Sequence, residues 1–449
     1  MRDPPISDKG AAHVKRWIAT LTACLLCLAL VAGCGTKTNQ PTPTAQPTTT
    51  PQETKPAEAK EVEIFSWWTG AGEAAGLEGL IKLFTSKKAD IKVINAAVAG
   101  GAGTNAKAVL ASRMQAGNPP DTFQVHAGHE LLDTWVAAGK MESLNSLYAS
   151  EGWNDKFPKQ LIDMMSKDGQ VYSVAVNIHR GNVLWYNKKI FDDNKLTPPT
   201  TLDDFFTVAE ALKAKNITPL ALGDKEPWTA VHLFEDVLLA TMGPQGYNDL
   251  FSKKKSWDDP GVKQALETFK RMLTYANTDH AARNWQDASQ MVATGKAAMN
   301  VMGDWAKGYF TVDLKLKPNV DFGWAPTPGT NGSFMVVSDT FGLPTGIKHR
   351  ESALEFLKVL GSKEGQDVFN PLKGSIPART DADVSKYDEY SKEAMSDWKA
   401  NALAPSIAHG SAASPGFADK LSQVINVFVT KGDVDEAIKG LKDASAEIK

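Results

Sequence analysis

Three observations predict an α/β protein. From residue 61 onward, strand-like apolar runs alternate with amphipathic helical patterns, at first in three successive βα units, which build a parallel sheet with helices on both faces. The composition, 42% hydrophobic and 22% charged, supplies packed cores and excludes a disordered or collagen-like polymer. The length, 449 residues, exceeds one ordinary domain of roughly 100 to 200 residues and predicts two or three compact units.

In order, 62–66 reads as a buried strand, 74–84 as an amphipathic helix, 91–95 as a strand, 105–116 as a helix, 122–125 as a strand and 130–138 as a helix. Gly100-Gly101-Ala102-Gly103-Thr104 resembles half a phosphate loop, lacks the lysine, and reads as a turn leading to an Asn105 cap. Strand-like runs at 171–176 and 182–186 bracket Asn177-Ile178-His179-Arg180-Gly181, a crossing point between lobes. Thr201 with Asp204 three residues on has the form of a capped helix start opening 205–215. Helical patterns recur at 229–240, 262–275 and 286–294, followed by strands at 297–301 and near 334–338, with Pro/Gly punctuation at 325–332 between them. The C-terminal third is mostly helical: 351–360, 391–401, 418–429 and 434–442. No short period repeats, which argues against a solenoid or propeller.

The first segment is an address. Arg2, Lys9, Lys15 and Arg16 precede an apolar run over 18–32, shorter than the roughly 20 residues of a bilayer-spanning helix but suited to an export signal. Its end, Leu30-Val31-Ala32-Gly33-Cys34, resembles a bacterial lipobox, which implies a signal peptide over 1–33 and lipid attachment at Cys34. The other two cysteines, Cys24 and Cys27, lie inside the apolar run, so the remaining 415 residues have no disulfide framework. Residues 34–60 are rich in Thr, Pro and Gln and read as a disordered tether. Without residues 1–33, which hold four basic and two acidic side chains, 45 basic and 50 acidic side chains remain. That balance argues against nucleic acid as a partner and leaves the lipid as the expected link to a membrane.

No nucleophile elbow, zinc-protease helix, complete phosphate loop or kinase signature is present, and no pattern pins the carboxylate pair a glycosidase needs. The expectation is a non-enzyme with no cofactor and no metal. Tryptophan is more informative: 12 Trp exceed 8 Tyr, and several stand beside turn residues, as in Trp67-Trp68-Thr69-Gly70, Pro227-Trp228, Asn284-Trp285 and Gly303-Asp304-Trp305. Consecutive strand residues face opposite ways, so one of Trp67 and Trp68 enters the core while the other faces the strand's carboxyl end, where ligands bind in open parallel sheets. A flat indole edged by polar groups suits the C–H face of a sugar, although any single Trp can equally be core filler.

The order of lipobox, Thr/Pro tether, strand ending in Trp-Trp, Asn118-Pro119-Pro120-Asp121, 182–188 (NVLWYNK), 296–300 leading to Gly303-Asp304-Trp305, and 362–366 (SKEGQ) resembles the extracellular solute-binding proteins of ABC sugar importers. The strings 122–128 (TFQVHAG), 176–180 (VNIHR), 300–305 (NVMGDW), 370–376 (NPLKGSI) and Ala408-His409-Gly410 are most similar to the glucose/galactose-binding branch of that family, bacterial extracellular solute-binding protein family 1. The resemblance implies the periplasmic-binding-protein-like (type II) fold: two α/β lobes with a central ligand cleft and interlobe crossings. The lobes would be 61–176 plus 335–380, and 177–334 plus 381–449.

It also implies the ligand contacts. Trp68, with Trp67 beside it, would lie against the sugar ring; Glu73 would accept from hydroxyls, in a turn one residue longer than the family pattern. Gln124 and His126 would reach the cleft together. Trp285 and Trp305 would wall the second lobe, and Asp339, Lys373 and His409 would complete the polar set, with His179 in the crossing. His129, His232, His280 and His349 match no ligand position, and Asp304 reads as a helix cap. The implied protein is an exported, monomeric receptor, lipid-anchored at the outer face of the cytoplasmic membrane or, in a two-membrane host, on the periplasmic side. It would capture glucose and/or galactose by hinge closure and deliver the sugar to an ABC permease. A maltose-type oligosaccharide receptor and a secreted carbohydrate-active enzyme are the alternatives.

Overall fold

A computed structural model describes residues 60–448. The expected signal peptide, Cys34 and all of the expected tether except Lys60 lie outside the described residues. Among those described, no helix is long and apolar enough to cross a membrane.

The first lobe is built on a five-stranded sheet in the order Lys92–Asn95, Glu61–Phe65, Thr122–His126, Asp339–Gly342, Ser173–Ala175. The first three strands are parallel, while Asp339–Gly342 runs antiparallel to both of its neighbours. Val62 and Ile64 are wholly buried in the same core as Leu77, Leu80 and Phe84 of the helix Ala71–Lys87. Order reverses around Glu61–Phe65, which makes the carboxyl ends of that strand and Thr122–His126 a topological switch point.

The second lobe carries a four-stranded sheet ordered Phe322–Pro326, Val183–Asn187, Ala297–Val301, Thr218–Leu220. Between the two sheets, Ala402–Pro405, Ser333–Val337 and His179–Arg180 form a small third sheet. The chain therefore passes through the middle layer on leaving the first sheet for the second and again on returning to the first. Ser173–Ala175 leads out through His179–Arg180, and Ser333–Val337 leads back into Asp339–Gly342. The two crossings pair antiparallel, Val336 with Arg180 and Val337 with His179, and a bridge between Ile178 and Ile376 adds a third segment.

Local sequence explains most elements. Thr201 Oγ1 accepts from the Asp204 N–H at 3.1 Å and Asp204 accepts from the Thr201 N–H at 3.0 Å, the reciprocal cap expected there. The helix expected over 229–240 starts at Trp228 and is broken at Gly243 (φ 66°, ψ 168°) ahead of Pro244, where a second helix begins and runs to Phe251. Two expectations fail. The segment 130–138 is a wide π-type turn, Glu130–Val136, rather than an ordinary helix. Asn105 is not a cap: Gly103 precedes the helix Thr104–Gln115, and the Asn105 amide donates to the Ala99 carbonyl at 2.8 Å. The helix Lys363–Lys373 and the strand Asp339–Gly342 went unread. The first contains Pro371, and the second is too short for its alternation to register.

Candidate functional site

Where the lobes meet, Trp67, Glu73, Ala102, His126, His179, Trp228, Trp285, Trp305, Val337, Asp339, Lys373 and His409 line one cavity. The free space among them is about 30 Å³, room for a water or two. Trp67 follows the first strand, and Glu73 sits in the first turn of Ala71–Lys87. Lys373 ends Lys363–Lys373, and His126 and Asp339 are register partners on adjacent strands. Trp228, Trp285 and Trp305 each open a helix, and His409 lies just beyond Ala402–Pro405. Element ends place side chains here because backbone ladders are completed elsewhere.

Asp339 is the electrostatic centre. Its carboxylate accepts from Gln124 Nε2 at 2.7 Å and from Asn177 Nδ2 at 2.8 Å, with His179 Nε2 at 3.3 Å and His126 Nε2 at 3.8 Å. Burial works to raise its pKa, but the His179 bond and the charges of Lys373, His179 and His126 outweigh burial and hold it well below the carboxylate range. Asn177 also accepts from the Asp339 N–H at 2.8 Å, and Ser338 Oγ donates to the Asn177 carbonyl at 2.7 Å, so one asparagine staples the two crossings. Lys373 Nζ donates to Glu73 Oε1 at 2.8 Å.

His179 joins Asp339 to Asp304, which its Nδ1 contacts directly. Burial and Lys373 push the His179 pKa down, but Asp304 and Asp339 prevail and raise it. Asp304 is fully buried and accepts from the Arg180 N–H at 3.0 Å and the Tyr390 hydroxyl at 3.2 Å. It makes no side-chain cap, contrary to the expectation. On the other flank, His126 Nδ1 meets Glu130 Oε2 at 2.8 Å, and Lys107 Nζ meets the same oxygen at 2.8 Å. Burial opposes ionisation of Glu130, yet Lys107 and His126 bring its pKa down to about 2.

His409 is held neutral. Burial foremost, then the charges of His126, His232 and Lys107, push its pKa well below the usual histidine value. Ser406 Oγ donates to Glu235 Oε1 at 2.7 Å, so at its 2.9 Å contact it accepts from His409 Nδ1–H. That assigns Nε2 as the ring's acceptor. His409 packs with its ring centroid 4.9 Å from Trp305 and 5.6 Å from Trp228. His232, Glu235 and His409 present ligand-type atoms within 4.8 Å of one another. The Glu235 carboxylate, however, is taken by Ser406 Oγ and the Ala408 N–H (3.1 Å), which hold the turn.

Nine of the eleven residues implied by the resemblance line this cavity: Trp67, Glu73, His126, His179, Trp285, Trp305, Asp339, Lys373 and His409. Two are placed differently. Trp68 turns into the core, 1% exposed, with ring centroids 5.5 Å from Phe341 and 4.9 Å from Phe369. Alternation puts Trp67 and Trp68 on opposite sides, and packing decides in favour of Trp67 as the cavity wall. Gln124 faces the same way as His126, but its amide is committed to Asp339 and, through Oε1 at 3.1 Å, to the Trp67 N–H. It borders the adjoining chamber. His129, His232, His280 and His349 do not line the cavity; each lies beside a carboxylate, of Asp133, Glu235, Asp224 and Asp121 respectively. Sequence reasoning missed Trp228 as a wall, although the Pro-Trp pair beside a turn was its signal, and missed Asn177, whose role exists only across the crossings.

Comparison with known proteins agrees with this architecture. Residues 65–367 match the family described as bacterial extracellular solute-binding protein. An ABC transporter extracellular-binding protein of Pyrococcus horikoshii is 40% identical over 424 residues, covering 94% of this chain and 92% of that protein. A probable sugar-binding periplasmic protein of Mesorhizobium japonicum is 35% identical over 403 residues, covering 86% and 95%. The solved structure of a bacterial solute receptor with a preference for β-D-galactopyranose superposes with a TM-score of 0.77 at 19% identity, over 87% of this chain and 98% of that one, a likeness of fold. With its two α/β lobes, central cleft and paired crossings, and with motifs resembling those of ABC sugar importers, the chain belongs to the bacterial extracellular solute-binding protein family.

Proposed function

We propose that the protein captures a monosaccharide, glucose and/or galactose, in the cavity around Asp339 and delivers it to an ABC permease, as a monomer tethered by a lipid at Cys34. The observation that carries this reading is the make-up of that one cavity. Asp339, Lys373, Glu73 and His126 converge from the first lobe, His179 from the crossing, and Trp228, Trp285, Trp305 and His409 from the second. A hexose presents hydroxyls that are donors and acceptors at once, together with apolar ring faces. Asp339 and Glu73 accept, Lys373 donates, His409 accepts through Nε2, and the indoles cover the C–H faces. Charge-assisted bonds of this kind contribute about 1.5–3 kcal/mol each.

The free space of about 30 Å³ is too small for a hexose without lobe separation. Sugar enters when the lobes part at the crossings and is held when both half-sites meet it, so binding selects the closed form. Lobes of 61–176 with 335–380 and of 177–334 with 381–449 change over at this stapled region.

Titration of tryptophan fluorescence with hexoses and disaccharides tests the reading. A response to glucose or galactose, reduced at least tenfold by Asp339→Ala, supports it. No response to any hexose alongside a response to maltose would transfer the assignment to an oligosaccharide, and release of reducing ends from oligosaccharides would make the protein an enzyme.

A further inference from the structure

The glycine-rich run Gly100-Gly101-Ala102-Gly103 forms a strap of the first lobe that reaches the second lobe at one wall of the cavity. It joins the strand Lys92–Asn95 to the helix Thr104–Gln115, and its backbone has positive φ at Gly100 (145°), Ala102 (48°) and Gly103 (79°). An alanine adopts this conformation only where its surroundings hold it. Within the first lobe, the Gly103 N–H donates to the Gly100 carbonyl at 3.2 Å, Thr104 Oγ1 to the Gly101 carbonyl at 2.8 Å, and Asn105 Nδ2 to the Ala99 carbonyl at 2.8 Å.

The remaining hold comes from the other lobe. Glu226, 125 positions beyond Gly101, accepts the Gly101 N–H on Oε1 at 3.1 Å and the Trp228 Nε1–H on Oε2 at 3.1 Å. Its own backbone is fixed where the helix at Trp228 starts, since the Glu226 carbonyl accepts from the Thr229 N–H at 3.3 Å and from the Thr229 hydroxyl at 3.0 Å. A carboxylate has two acceptor oxygens and no donor, so it answers two N–H groups at once, one from each lobe. When the lobes part, the Gly101 N–H and the carboxylate turn to water, and the bond between them contributes to the closed form alone.

The strap tolerates no side chain at this contact. A Cβ on Gly101 would run into Glu226 Oε2 and lie 2.9 Å from Trp228 Nε1, and one on Gly103 would lie 2.8 Å from the Trp67 ring. Ala102 and Trp228, the walls that Glu226 draws together, both line the cavity around Asp339 and a larger neighbouring chamber of about 370 Å³. Exposed Thr104 and Asp419 line that chamber, so it opens to solvent. The seam between Ala102 and Trp228 therefore divides the cavity from solvent, and Glu226 bonds across it.

We propose that Glu226 is a positioning residue that latches the Gly100–Gly103 strap across this seam and so sets how long a bound sugar is held. Glu226 touches no sugar; it acts through Gly101 and Trp228, and sugar leaves once the Glu226–Gly101 bond has broken. The inference rests on the sugar reading of the cavity and adds to it the step that limits release.

Stopped-flow tryptophan fluorescence with glucose and galactose tests the latch by separating association from dissociation. Glu226→Ala is expected to raise the dissociation rate at least tenfold and to leave the association rate within about twofold, because association starts from parted lobes; the retained association rate also shows that the variant is folded. Glu226→Gln, with one acceptor oxygen for two donors, should fall between the wild type and Glu226→Ala. Gly101→Ala should speed dissociation as Glu226→Ala does, and the double variant should dissociate no more than about twofold faster than either single one. An unchanged dissociation rate in Glu226→Ala overturns the proposal, as does an association rate that falls as far as dissociation rises, or single effects that multiply in the double variant. If the wild type binds neither sugar, the sugar reading falls and the latch with it, a result distinct from sugar binding with unaltered release.

Discussion

Lys373 and Glu73 stand 300 positions apart in the chain and meet at 2.8 Å in the wall of the cavity, with side chains only 3% and 16% exposed. The pair brings the last residue of one helix to the first turn of another. A sugar hydroxyl arriving between them can accept from the ammonium and donate to the carboxylate without leaving either group unpaired.

Removing one partner strands the other. Lys373→Met and Glu73→Gln are each expected to lower hexose affinity at least tenfold and to cost stability, on the order of 3 kcal/mol for the lysine change, because a buried carboxylate loses its countercharge. The double variant should lose less than the two single losses added together, read by a double-mutant cycle in denaturant unfolding. Strict additivity would mean that the two groups act independently.

Trp67 and Trp68 should separate binding from stability. Trp67→Ala is expected to weaken hexose binding at least tenfold. Trp68→Ala should instead destabilise the fold by about 3–5 kcal/mol, the usual cost of emptying an aromatic core position, and leave affinity within about threefold in the folded fraction. Unfolding curves and titrations on the same preparations read both effects, and the reverse pattern would return Trp68 to the ligand.

Glu130 gives a pH dependence with a definite sign. Its folded pKa is about 2, against about 4.3 for an unperturbed glutamate. The depressed value means that the stabilisation is fully present above the unfolded pKa and is lost as pH falls toward the folded one. Between about pH 4.3 and 2, Glu130→Gln should therefore show a shallower loss of stability than the wild type. The difference is on the order of 2 kcal/mol, discounted because the Lys107 partner is exposed. Parallel acid-unfolding profiles of the two proteins would exclude this role.

The proposed lipid anchoring should be separable from sugar capture. Cys34→Ser is expected to release the protein from the membrane fraction of a native host while hexose affinity stays unchanged, as read by fractionation and titration. Continued membrane retention of the serine variant would remove Cys34 as the attachment point.

Much of the architecture was legible because its signals are local. Strand Ala297–Val301 and helix starts such as Thr201 were read from alternation and capping. The helix Lys363–Lys373 was hidden by Pro371, and the Asp339–Gly342 strand by its length. The site was visible chiefly through motif resemblance. His126, Lys373 and His409 lay in recognisable strings, while Trp228, beside a turn, and Asn177, inside 176–180, gave no sign of their roles, which depend on neighbours distant in sequence.

By itself, the sequence determined the alternation of strands and helices, the absence of cysteine beyond residue 34, and the placing of tryptophans beside turns. Tertiary structure alone decided that Trp67 rather than Trp68 faces the cavity, that Gln124 supports Asp339, and that Glu73 is held by Lys373. The reason is physical. Helix and strand periodicities follow from the geometry of near neighbours, whereas which side chains face one another depends on where the crossing segments close the two lobes.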